Sequence, residues 1–112
     1  MRFFVSLLLF VVVGLGVTPA TSSAAEGSMQ YGLGASTCGK WLERRKGPDW
    51  YDAGQWVLGY VSAYGEVQQL RMPGDGANDA FAAFVDNYCT AHPLDEIHTA
   101  ARALVLELSK PQ

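Results

Sequence analysis

The stretch 52-DAGQWVLGYVSAYGEVQQL-70 decides how the whole chain is read. Apolar residues recur in it at Ala53, Trp56, Val57, Tyr60, Val61, Tyr64 and Val67. The steps of three and four are those of one face of an α-helix. The helix is expected to open at Asp49 or Asp52 and to run to Leu70. Gly54, Gly59 and Gly65 interrupt it, and glycine inside a helix costs about 1 kcal/mol relative to alanine. At Gly59 and Gly65 two explanations stand: another backbone or a ring approaches closely, or the helix kinks or ends early near Gly65.

On the N-terminal side, Ser36 or Thr37 is suited to cap a first helix carrying Cys38, Trp41, Leu42 and Arg45 on one face. Gly47-Pro48 ends it, because glycine suits a C-terminal cap and proline cannot continue the hydrogen-bond ladder. The basic run Arg44-Arg45-Lys46 then complements the dipole at that end. On the C-terminal side, Met72–Ala77 has the composition of a loop. A third helix is expected from Asn78 or Asp79, with Phe81, Phe84, Val85, Tyr88 and Cys89 on its apolar stripe. It stops by Ala91, since His92 precedes Pro93. A fourth is expected to start at Pro93, with Asp95 and Glu96 in its first turn. Leu94, Ile97, Ala101, Leu104, Val105 and Leu108 form its apolar face. No stretch has the pattern of a hairpin, so the expected fold is all-α, a small four-helix domain.

The averages of the chain, 49% hydrophobic and 17% charged, mix two kinds of sequence. Phe3–Val17 is almost wholly apolar and follows Arg2, the pattern of a secretory signal peptide. Ser23-Ala24-Ala25 offers a small-residue cleavage site, so residues 1–25 are expected to be removed on export to the periplasm. The run is shorter than the ~20 residues of a membrane-spanning helix, so no stable membrane anchor is expected. Residues 26–35 read as a flexible lead-in, of which Tyr31 and Leu33 are able to pack down, and 36–112 as one helical domain with a limited core.

Export gives the two cysteines their meaning. Cys38 and Cys89 lie on the inward stripes of two different helices, and an oxidising compartment permits a disulfide between them. Their spacing excludes a C-x-x-C redox motif. Without Arg2, seven Lys/Arg face eleven Asp/Glu, a formal charge of −4. That field disfavours nucleic acid as a partner. With the cysteines bonded, His92 and His98 make no metal-ligand set, so neither metal nor cofactor is expected. Ser36, Ser62 and Ser109 lack a nucleophile-elbow context, and Gly74-Asp75-Gly76 lacks the lysine of a phosphate loop. No enzyme is expected. The partners are other proteins, and the aromatic residues are the contact candidates. Trp50 and Tyr51, read as preceding helix two, are placed either as an interface patch or as the closure of the helix one–two corner.

Thr37-Cys38-x-x-Trp41-Leu42, then Trp56-Val57-Leu58, then Tyr88-Cys89-x-x-His92-Pro93 and a last amphipathic helix resemble the HdeA/HdeB family. Those are small periplasmic all-helical acid-stress chaperones with one disulfide, and the match covers nearly all of residues 26–112. The resemblance implies a domain or homodimer closed at neutral pH and a holdase in acid. Its client surface would be Trp56, Val57, Tyr60, Val61 and Tyr64. Protonating the eleven carboxylates moves the side-chain charge of 26–112 to +7, and both histidines bring it to +9, a self-repulsion that opposes compactness. Gly59-Tyr60-Val61-Ser62-Ala63, His92-Pro93 and Ala100-Ala101-x-Ala103-Leu104-Val105 also look like the Tai-type immunity proteins. Those are small exported helical proteins that bind and block a secreted cell-wall-degrading toxin.

Overall fold

The structure is a computed structural model and describes residues 14, 16, 29–74 and 76–111. Apart from Gly14 and Gly16, the expected signal segment 1–25 lies outside the described residues, as do 26–28 of the lead-in. A 3-10 turn, Gly32–Ala35, leads into four helices: α1 (Cys38–Arg44), α2 (Trp50–Gln68), α3 (Ala77–Ala91) and α4 (Ile97–Leu108). Among the described residues there is no strand, only a single antiparallel bridge between Thr37 and Glu96. The fold is a small all-α domain with one disulfide, Cys38–Cys89.

Each boundary has a local cause. The Thr37 hydroxyl accepts a hydrogen bond from the Lys40 amide at 3.3 Å and so caps α1. α2 closes on a Schellman motif, with the Gln69 amide donating to the Glu66 carbonyl and Leu70 to Gly65. Gln69 holds the left-handed position there, at φ 53°. Trp50 and Tyr51, expected ahead of helix two, are instead its first two residues, with Asp49 in the cap position.

α4 departs furthest from expectation. It starts at Ile97, so Pro93–Glu96 stay outside it and Asp95 and Glu96 are not first-turn dipole partners. The carbonyls of this segment are used elsewhere: Cys38 donates to Asp95 at 2.6 Å and Gly39 to Pro93 at 3.0 Å. They satisfy amides at the start of α1 that no helix carbonyl can reach. Ile97 in turn donates to Ser36 at 2.8 Å. Leu94, expected on the apolar face of α4, is consequently 91% exposed.

The core comprises Cys38 and Trp41 of α1, Ala53, Val57 and Val61 of α2, Phe81, Ala82, Val85 and Cys89 of α3, and Ile97, Ala100, Ala101, Leu104 and Val105 of α4. The expected helix stripes supply nearly all of it. Val67, at the far end of the α2 stripe, projects into solvent. Within the lead-in, Gly32–Ala35 form the 3-10 turn, which lies against α2. Gly34 is buried under the Trp56 ring, where an added Cβ would collide with ring carbons, and the Trp56 indole N–H donates to the Tyr31 carbonyl at 2.8 Å. Leu33 packs on the core and Tyr31 remains exposed. The glycines of α2 also separate. Gly65 accommodates the side chain of Met72 after the turn, whereas a Cβ at Gly59 would meet nothing within 4 Å. Close approach therefore explains Gly65 and not Gly59.

Candidate functional site

The contact candidates fall on two flanks of α2. Trp50 and Tyr51 sit at the corner where α1, α2 and α3 meet, beside a cleft of about 250 Å³. Trp41 and Val57 reach it from the core, and Leu58 and Phe81 from α2 and α3; Gln55, Asn78 and Asp79 are its polar lining. Tyr51 is 61% exposed and Trp50 half-buried. On the other flank, Trp56 stacks on Tyr60 with ring centroids 5.4 Å apart and lies against the 3-10 turn. Tyr64 packs half-buried against the core, while Val57 and Val61 lie inside it. The seven residues therefore form no single surface in the folded domain.

What the sequence reading missed is a polar cluster behind the corner. The basic run at the end of α1 divides: Arg44 donates to the Asp49 carbonyl at 3.4 Å, whereas Arg45 crosses to α3. Its Nε and Nη2 each donate to Asp86 at 2.9 Å, one to each carboxylate oxygen. The same Asp86 Oδ1 accepts the indole N–H of the buried Trp41 at 2.7 Å. The Arg45 guanidinium also lies over the Trp50 ring, 4.4 Å from its centroid, in a cation–π contact. Its pKa is raised, chiefly by the hydrogen bond to Asp86. Arg45 is therefore a cross-helix tie rather than a dipole partner. The available signal was its place on the α1 stripe with Cys38 and Trp41, since a charge on a buried face requires a counter-charge.

A second carboxylate ties the other end of α3. The Tyr88 hydroxyl donates to Asp95 Oδ2 at 2.6 Å. That bond, with desolvation behind it, pushes the Tyr88 pKa up to about 12. His92 packs on the Tyr88 ring with centroids 4.6 Å apart. His98 lies 2.9 Å from a Glu96 oxygen, a contact that is ionic when the imidazole is protonated. The disulfide joins the start of α1 to the end of α3, and both cysteines are fully buried.

Among the described residues no group of three or more His, Cys, Asp or Glu is placed to hold a metal ion. No described helix is long and apolar enough to cross a membrane. Comparisons with family models, with curated proteins and with solved structures find no match to this chain.

Proposed function

We propose that this protein is an exported acid-stress holdase of the HdeA kind, acting by contact and not by catalysis. It is closed at neutral pH and opens in acid to offer its apolar interior to unfolding proteins. The observation that carries the reading is where the helix ties end. Among the described residues, the side-chain pairs that bind α3 to α1 and to the turn before α4 finish on two carboxylates, Asp86 and Asp95. As a class, carboxylates lose their charge as pH falls to 2–3, below their ordinary range. A neutral Asp86 no longer balances Arg45, which is left beside Trp41 and Trp50 without its counter-charge. At the same time the charge of 26–112 rises to +9, and the helices repel one another.

The surface released includes Trp41, Val57, Val61 and Val85, all buried at neutral pH, together with the half-buried Trp56, Tyr60 and Tyr64. The disulfide does not titrate and keeps α1 beside α3, so the opened chain closes again on neutralisation. The test is aggregation of an acid-unfolded client at pH 2–3, with and without the purified domain. Near-UV circular dichroism is recorded on the domain alone. Suppression together with loss of tertiary signal is expected; no suppression, or packing retained at pH 2, overturns the reading.

One observation favours a second reading, an immunity protein that blocks a secreted toxin. The Trp50–Tyr51 corner and its cleft are open in the folded domain, without any acid trigger. That reading predicts tight binding of one toxin at neutral pH. Pull-downs from the native exported fraction that recover no partner count against it.

A further inference from the structure

The cleft at the α1–α2–α3 corner has a composition that selects its occupant, and the holdase reading does not require it to be filled. Its walls are apolar and aromatic: Trp50 and Leu58 from α2, Phe81 from α3. At about 250 Å³ it lies below the size of a typical small-molecule pocket and suits one long side chain. Asp79, in the first turn of α3, lines the cleft and is exposed. Its charge reaches the Arg45 guanidinium. Arg45 is nevertheless committed elsewhere, to both oxygens of Asp86 and to the Trp50 ring. The cleft thus pairs aromatic walls with a carboxylate that no described cation bonds.

We propose that this cleft receives an arginine side chain of a partner protein, its stem along Trp50, Leu58 and Phe81 and its guanidinium at Asp79. Arginine fits better than lysine because a planar guanidinium stacks on aromatic faces as well as pairing with a carboxylate. The fold already makes that contact once, between Arg45 and Trp50. The exposed Tyr51 ring offers a further face, and the side-chain carbonyls of Gln55 and Asn78 further acceptors. The acidic chain, with a formal charge of −3 and a pI near 5.2, draws in a basic partner.

The test uses the labelled protein at pH 7, with N-acetyl-arginine methylamide as probe and its uncharged, nearly isosteric citrulline analogue as control. Saturable amide shifts are expected at Asn78–Ala82 and at the Trp50 indole N–H. The citrulline analogue and the Asp79→Asn variant should each bind about fivefold more weakly, the order of an exposed ion pair. Tyr51→Ala, at an exposed position, should weaken binding while leaving the rest of the spectrum in place. Absence of saturable shifts at the cleft overturns the proposal. So does equal binding of the two probes, or an Asp79→Asn variant that binds like the parent.

Discussion

Replacing Asp86 by alanine removes the acceptor on which Trp41 and Arg45 converge, and its consequence can be worked from the geometry. The Trp41 indole N–H, on a side chain with no exposure, loses its partner at 2.7 Å. A buried donor left unsatisfied costs about 1–3 kcal/mol. The Arg45–Asp86 pair is 29% and 31% exposed, so it is partly screened, but it is bidentate. Such a pair contributes up to about 1 kcal/mol. Together Asp86→Ala should destabilise by ~1–4 kcal/mol, a substantial share of the ~5–10 kcal/mol that holds a domain of this size. Asp86→Asn keeps an acceptor for Trp41 and loses only the charge, so up to about 1 kcal/mol is expected. Urea unfolding at pH 7, followed by tryptophan fluorescence, measures both through the midpoint at constant slope. A double-mutant cycle with Arg45→Met isolates the pair. An Asp86→Ala variant within about 0.5 kcal/mol of the parent at pH 7, the range of an ordinary surface substitution, would refute this account.

Three further outcomes are expected. Reduction of Cys38–Cys89, 51 residues apart, should cost ~4 kcal/mol in the chain-entropy model and shift the urea midpoint accordingly; an unchanged midpoint in reductant would deny the bond its role. Gly34→Ala and Gly59→Ala should move in opposite directions. The first drives a Cβ into the Trp56 ring and should cost ~1–3 kcal/mol, while the second fills open space on a helix and should gain ~0.5–1 kcal/mol, both read from thermal unfolding. In alkali, the folded state favours neutral Tyr88, whose pKa is pushed from 10.0 up to about 12. The stabilisation is therefore complete below pH 10 and is lost as pH rises through 12. Tyr88→Phe should abolish that part of the slope in urea midpoints measured from pH 8 upward.

The helices were legible because their apolar periodicity is a local property. Trp56, Val57, Tyr60 and Val61 have the spacing of a helix whatever they pack against. The ends were legible where a side chain or proline acts on its own backbone, as Thr37 does for α1 and His92-Pro93 for α3. The start of α4 was not. Pro93, Asp95 and Glu96 have a good local reason to begin a helix, and a distant element overrides it by using their carbonyls for Cys38 and Gly39. The site divides in the same way. Trp50 and Tyr51 could be singled out by type and place, whereas the cleft lining Phe81 and Asp79 lies on another helix and is identified only by proximity.

By itself the sequence determined an all-α domain, four amphipathic helices and a cysteine on each of two inward faces, because each follows from spacing along one chain. Tertiary structure decided which glycine admits a ring, that Arg45 crosses to Asp86 rather than serving its own helix, and that the aromatic residues part onto two flanks of α2. At Asp86 the question is which atoms meet from residues 41 and 45 positions away in the sequence. Periodicity sets the face a side chain occupies, and only packing sets what it faces.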